Sequence, residues 1–497
     1  MADLSLQSFP KNLSYTLKKL QGSINKQRVK INSDRSSYNS SQTIRFTLPR
    51  GSIVDFRSLV IYATGSTAGT GSTTSYIHFP RLGLHSLIES LTVSVNNITL
   101  SQVQSYNFLY NTLFDLEGGS IEQASKRMVS ELYDPTVRWA QTASNNTAAT
   151  NENSIIAKIN HNGDATNGAT SNDTSVNFCA NNFIAFLGSL SCPCLDLNDI
   201  GDVVLSIQLA PASACFYSTM AVSAPVISGL EYTLTNVYLT IDKLTFTNSL
   251  YNQLKYERLQ GDEGLKVGFY DYWTIVGSSF TKSSGCSVNA SINSSSLNQI
   301  IGTFRRGDYQ TIKPLVFYGG GSLVANAATN AITYDEYLAN SRKYTDTSAD
   351  ALINTNGGDG FAQTAYLQRA GNDCTGTSFS VNSVNMDGYL KPPLEIFNNT
   401  LQVMGYNNID IATAGLRPDC KSIFHFLKYY FCDMLSLENI AQDSAMWVSG
   451  YDGQNGGIVI NYNATFASTN GQSVYPYLFC QSTKVLTIRA GKNLELV

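Results

Sequence analysis

Four histidines occur in the 497 residues, and no two stand at the spacing of a metal-ligand or acid–base pair. His78 and His85 flank a strand end, His161 lies in a polar stretch, and His425 sits inside an apolar run. A lone histidine among aromatics, such as His425, is most often a hydrogen-bonded core residue. Cys192-Pro193-Cys194 comes nearest to a metal pair, but it has one intervening residue where zinc ribbons have two, and no second pair stands at ribbon distance. Gly319-Gly320-Gly321-Ser322 lacks the Lys-Ser/Thr of a phosphate-binding loop and the glycine pattern of a nucleophile elbow, so it reads as the start of a flexible loop. Asp271 and Asp452 stand beside aromatics and could form a glycosidase carboxylate pair, whose defining feature is separation in space. Turn or rim aspartates are the commoner case. These residues assign no catalytic residue, no cofactor and no metal site.

The remaining composition is that of β-sheet and loop. Only 14% of residues are charged against 43% hydrophobic, with 28 Tyr, 23 Phe and 37 Gly. Aromatic and hydroxyl side chains suit pleated surfaces, and glycine and asparagine supply turns. The length favours two domains over one. A formal charge of −4 argues against a surface given over to nucleic acid. The N-terminal residues show no apolar core of signal-peptide length, and no run of about eighteen apolar residues could span a bilayer. Synthesis and assembly are therefore expected in the cytosol or nucleus. Nine cysteines, an odd number, fit reduced thiols better than a disulfide framework.

The elements that must carry these residues are most legible between Phe79 and Leu116. Leu91, Val93 and Val95 alternate with Thr92 and Ser94, which predicts a strand with the first set buried. Asn96-Asn97 tolerate positive φ and predict a two-residue hairpin, after which Ile98 and Leu100 resume the alternation. Val103, Tyr106, Tyr110, Leu113 and Phe114 then recur at three and four residues, predicting a helix that Gly118-Gly119 can end. Further strands are expected at 44–48, 59–62, 76–79, 183–190, 203–209 and 237–241, with 244–246 closing the first domain and a Gly/Ser/Thr loop over 64–75. That is about the eight strands a jelly roll needs.

A charged, locally helical stretch around 248–264 marks the domain boundary. The second half repeats the scheme, with strands expected at 266–276, 300–304, 315–318, 394–397, 401–404, 423–432, 458–462 and 485–488. Long polar stretches at 141–177 and 319–385 read as surface insertions. The fold class is all-β: two tandem eight-stranded antiparallel jelly-roll sandwiches with long loops and a few short helices. The division is a basic N-terminal arm over 1–35, a first jelly roll over 36–248, a linker over 249–264 and a second jelly roll over 265–497.

Phe79-Pro80-Arg81, Ser86-Leu87-Ile88, the strand into Val95-Asn96-Asn97, and Tyr106-Asn107 to Tyr110-Asn111 resemble the first jelly roll of double jelly-roll major capsid proteins, especially those of polinton-like viruses and virophages. The resemblance extends over 183–190 and 203–209, and is weaker in the second half. It implies a homotrimer whose six sandwiches form a pseudo-hexagonal tile of an icosahedral virion, with neighbouring trimers, penton and minor capsid proteins as partners. An aromatic-lined carbohydrate-binding or glycoside-hydrolase sandwich is the alternative that the Tyr and Trp content leaves open.

The arm stands apart in charge. Lys11, Lys18, Lys19, Lys26, Arg28, Lys30 and Arg35 crowd where acids are few, and Leu13, Leu17 and Leu20 fall at helical spacing. Such a segment could meet a polyanion or an anionic membrane on the capsid interior, as the resemblance implies, or be a solvated surface helix.

Overall fold

The computed structural model describes residues 24–70, 75–79, 82–96, 98–116, 171–172, 176–219, 228–246, 249–261, 264–307, 309, 369–371, 373–404, 431–438, 450–453, 457–467 and 473–496. Eight strands build the first sandwich: Ile24–Asn32 (β1), Thr43–Thr47 (β2), Ile53–Thr70 (β3), Ile88–Val95 (β4), Ile98–Gln104 (β5), Cys194–Asp196 (β6), Val203–Leu209 (β7) and Ser228–Phe246 (β8). Eight more build the second: Leu265–Val276 (β9), Cys286–Ile292 (β10), Leu297–Arg306 (β11), Cys374–Val381 (β12), Val384–Asn385 (β13), Asp433–Ser436 (β14), Ile458–Phe466 (β15) and Ser473–Arg489 (β16).

The sheets of the first sandwich run β1-β8-β3-β6 and β2-β7-β4-β5. Those of the second run β9-β16-β11-β14 and β10-β15-β12-β13. Adding eight to each label of the first half gives the second, and every pairing along these paths is antiparallel. Two sheets with four strands along each main path, interleaved in this order, make a jelly roll, and the chain makes it twice; short strands at Ser37–Asn39 and Val176–Ala180 add to one sheet of the first, and Phe280–Thr281 and Asn493–Leu496 to one sheet of the second.

Period-two patterning explains the sheets. In β7 the apolar residues Val203, Leu205, Ile207 and Leu209 are buried while Gln208 is exposed. Across the ladder Leu205 opposes Val93 and Phe46, and Ile207 opposes Leu91 and Ile44. The expected inward sets, Leu91, Val93, Val95 and Val237, Leu239, Ile241, are all buried. The hairpin turns at Asn96, whose φ is +48°, and pairs Val95 with Ile98. A bulge then shifts the register between Val93 and Ser94, which leaves Ile98 exposed and buries both Leu100 and Ser101. The expected alternation therefore fails at Ile98.

Tertiary pairing overrides local signals at several other places. Val103 belongs to β5 rather than to the helix, which spans Tyr106–Leu116 (α1) after Ser105 at φ +50°. The expected 64–75 loop is largely strand: β3 runs on to Thr70 because Gly65, Ser66 and Thr67 pair with β8. Gly65 is needed there, since a Cβ would lie 2.6 Å from the Phe178 ring. The expected strand over 183–190 is a turn at Ala185, φ +59°, followed by the short helix Phe186–Ser189.

In the second half, 394–397 and 401–404 are not strands but one helix, Pro393–Val403, running to its cap at Met404. Short apolar runs do not distinguish the two periods, and here Ile396 and Thr400, four apart, are the buried pair. The insertion expected to reach residue 385 ends earlier, because the hydroxyl-rich β12 is a central strand with Thr377 and Ser378 buried. The expected strand at 315–318, most of that at 423–432, the helix stop at Gly118-Gly119 and most of the insertion expected over 141–177 lie outside the described residues; the end of that insertion is not loop but the short strands Ser171–Asn172 and Val176–Ala180. Ser249–Gln260 (α2) occupies the expected boundary, and Pro393–Val403 is α3.

Candidate functional site

Three groupings of polar side chains have positions that bear on function, and the first is the basic edge. Lys26, Arg28 and Lys30 alternate along β1, so all three stand on one face of the sheet. The expectation that they belong to a free arm ending near Arg35 is corrected here: residues 24–32 pair along their length with 238–246 of β8. Lys11, Leu13, Leu17, Lys18, Lys19 and Leu20 lie outside the described residues. Arg28 faces Asp242 across the ladder and its Nε donates at 2.9 Å, while Lys26 Nζ stands 2.7 Å from the other oxygen. Lys30 Nζ sits 4.0 Å from the centroid of Tyr238, which stacks on Tyr62.

Burial pushes the Asp242 carboxyl up, but the hydrogen bonds and charges of Arg28 and Lys26 outweigh it and hold the group below the usual carboxylate range. The cations themselves stay wet, with side chains 59% and 61% exposed. Two cations on one carboxylate, with Lys30 beside them, leave this face net positive. Charged residues along an end strand also discourage edge-to-edge pairing.

The second grouping lies where the sandwiches meet. Asp271 of β9 is buried, accepts from Ser101 Oγ of β5 at 2.7 Å and from Lys484 Nζ of β16 at 2.5 Å. Thr274 Oγ1 donates to Gln104 O at 2.8 Å, and the amides of Gly268 and Tyr270 donate to Ser191 Oγ and Ser189 Oγ. Around these bonds Phe108 of α1 packs edge-on to Tyr477 at 5.1 Å, and Phe186 to Phe269 at 4.9 Å. Arg305, fully buried, lies 4.9 Å over Phe108 and donates to Tyr477 Oη. Asp271 is thus held as a fastener between sandwiches, with both carboxylate oxygens engaged, and Asp452 is exposed on a loop. The suggested carboxylate pair does not take the form of two carboxylates facing a groove.

The third grouping is a cleft of about 500 Å³ between the first sandwich and the end of α3, lined by Phe56, Leu59, Tyr110, Phe114, Phe183 and Met404. The cation among its described lining residues, Arg57, is already bound to Asp55 at 3.1 Å. Beside it His85 stacks on Tyr110 at 4.0 Å, Nε2 lies 2.7 Å from Asn181 O, and Nδ1 3.2 Å from Tyr106 Oη. Both ring nitrogens are engaged, as in a core histidine. Cys192 and Cys194 are buried, and burial raises the Cys192 thiol far above its ordinary value, which opposes thiolate chemistry. Among the described residues no cluster of three or more His, Cys, Asp or Glu could hold a metal ion.

A further charged cluster escaped the sequence reading. Lys391, Asp387 and Asp433 come together inside the second sandwich, with Asp433 Oδ2 accepting from Thr377 Oγ1 at 2.6 Å. The available signal was Asp433 itself, a charge directly following the apolar Phe431-Cys432, where a buried carboxylate requires a partner.

No protein-family model matches the sequence, and no curated protein does. Among solved structures the chain is similar to PBCV-1 VP54 fitted into a reconstruction of the virophage Sputnik, at 12% identity and a TM-score of 0.54, covering 95% of this chain and 96% of that one. It is similar to the Faustovirus major capsid protein at 10% identity and a TM-score of 0.55, covering 94% and 90%. It is also similar to a chain of the Sputnik virophage particle at 10% identity and a TM-score of 0.51, covering 95% and 88%. At these identities the likeness is one of fold, and it runs end to end: the chain is a double jelly roll.

Proposed function

We propose that this double jelly-roll chain is a viral major capsid protein, a structural subunit without enzymatic activity. The observation that carries the reading is the end-to-end match of both jelly rolls, with nothing large left over, to the Faustovirus major capsid protein, whose own name places it in a capsid. In this reading the chain forms homotrimers, six sandwiches make a pseudo-hexagonal capsomer, and capsomers tile an icosahedral shell assembled in the host cytoplasm or nucleus. Units 36–248 and 265–497, with the edge strand β1 added to the first and 249–264 linking them, are two of the six sandwiches of that tile.

Physical sense follows from the architecture. Antiparallel sandwiches are stiff, and insertions between strands can change without touching the core. Partners are further copies of the chain, penton and minor capsid proteins, and, through residues 1–23 together with the basic face of β1, the genome or an internal membrane. Trimer contacts would be large and permanent, and contacts between tiles individually weak. The carbohydrate reading is weakened by the tyrosines that pack inward, since Tyr38, Tyr106, Tyr232, Tyr462 and Tyr477 are buried, although Trp273 is exposed.

Negative-stain imaging with light scattering of the purified protein tests this. Trimers of hexagonal outline are expected. A monomer that binds glycans would overturn the reading. Removing residues 1–23, which leaves β1 in place, should spare the trimer and lower shell yield, with any interior contact weakened by salt.

A further inference from the structure

The Lys391 cluster lies outside every role assigned above, and its geometry is that of a reactive site. Lys391 Nζ stands 2.9 Å from Asp433 Oδ1 and 3.3 Å from Asp387 Oδ1. The side chains are 2%, 0% and 8% exposed for Lys391, Asp433 and Asp387. Each is fixed by its second contacts. The Lys391 backbone exchanges two hydrogen bonds with Thr377, at 2.8 and 3.2 Å, and its ammonium lies 5.0 Å from the Phe379 ring. Asp433 Oδ2 accepts from Thr377 Oγ1, and Asp387 Oδ2 accepts from the Phe379 amide at 2.7 Å. One oxygen of each carboxylate is thereby anchored and the other is turned to the same nitrogen.

We propose that Lys391 and Asp433 condense into an intramolecular isopeptide bond, with Asp387 carrying the proton. An ammonium–carboxylate pair and an amine–carboxylic acid pair differ only in which partner holds one proton, and a water-free interior favours the neutral pair. Burial pushes the Asp433 carboxyl up to about 6, against the opposing pull of Lys391, so the acid form is accessible. The Nζ lone pair then attacks Cγ of the protonated Asp433 and forms the N–C bond. Asp387 takes the proton from Nζ and returns it to the departing hydroxyl, the C–O bond breaks, and one water leaves. No oxidant or external reagent enters. With Nζ 2.9 Å from Oδ1, the carboxyl carbon one bond further on is close to the approach of about 3–3.5 Å that reacting atoms need, and the fixed partners remove the entropy of finding it. Asp387 acts as general base and then general acid.

The bond would tie β14, in one sheet of the second sandwich, to the segment that pairs with β12 in the other, across a sequence separation of 42 residues. It is independent of the capsid reading and would stiffen the sandwich in any setting.

Intact-mass measurement of the purified full-length protein decides it. The expected mass is lighter than that of the sequence by one water, with peptides carrying Lys391 and Asp433 joined after proteolysis. Asp387→Ala, which keeps the Lys391–Asp433 contact, and Lys391→Arg, which keeps the cation but cannot acylate, should both show the full sequence mass while circular dichroism remains native. A folded wild-type protein at full sequence mass after prolonged incubation would overturn the proposal. Loss of water persisting in Asp387→Ala would overturn the role given to Asp387.

Discussion

Asp271 illustrates how a single residue's neighbours decide its role. Standing beside Tyr270 and Tyr272 in sequence, it could be one of a glycosidase carboxylate pair, although a turn or rim aspartate is the commoner case. In the fold it joins β5 of one sandwich to β16 of the other through Ser101 and Lys484. Replacing it by alanine strands a buried hydroxyl donor and an ammonium that is only 21% exposed. Leaving such donors without a partner costs about 1–3 kcal/mol, and the partial exposure of Lys484 places the expected loss in the lower half of that range. Chemical denaturation of Asp271→Ala should show the drop as a lower midpoint at unchanged slope. An unchanged midpoint would mean that the contact contributes nothing to stability.

Among the elements, β11 is constrained on both edges. It is paired on one side with β16 and on the other with β14, so it cannot shift sideways, and its face meets the opposite sheet. Gly302 makes that approach possible: a Cβ there would stand 2.9 Å from Tyr462 Cζ and 3.2 Å from Phe379 Cζ. Both rings are fully buried and cannot swing out. Gly302→Ala should therefore destabilise by about 1–3 kcal/mol through overpacking, even though alanine suits a strand better than glycine does. Thermal melting checks this. A variant more stable than wild type would show that the facing sheet can relax.

The whole molecule is two sandwiches with one continuous core. Phe108 and Phe186 belong to the first half in sequence, but they pack on Tyr477, Phe479 and Phe269 of the second. Separating the halves would expose these rings and leave Arg305 without the face of Phe108. The full chain should unfold in a single calorimetric transition at fixed protein concentration, and a fragment covering 24–261 should bind a hydrophobic dye or aggregate. Two well-separated transitions, or a soluble dye-silent fragment, would show that each sandwich is stable by itself.

Much of the architecture is written in local pattern. Alternation in Leu91-Thr92-Val93-Ser94-Val95 and in 203–209 determines strands and their inward faces, and Asn96-Asn97 determines a hairpin, because a period of two and a tolerance for positive φ are properties of adjacent residues. The charged stretch at 249–264 reads as a linker, and the helix Ser249–Gln260 lies between β8 and β9. Tertiary structure alone decided the rest. Thr64–Thr70 became strand because a partner strand was present to pair with it, and Cys374–Val381 became a central strand although its hydroxyls look like loop. Lys26, Arg28 and Lys30 became a sheet edge because Asp242, more than two hundred residues away, faces them. Asp433 met Lys391 and Asp387, themselves only four residues apart, for the same reason: contact across a sandwich depends on which strands pack together, and no spacing within a short window records it.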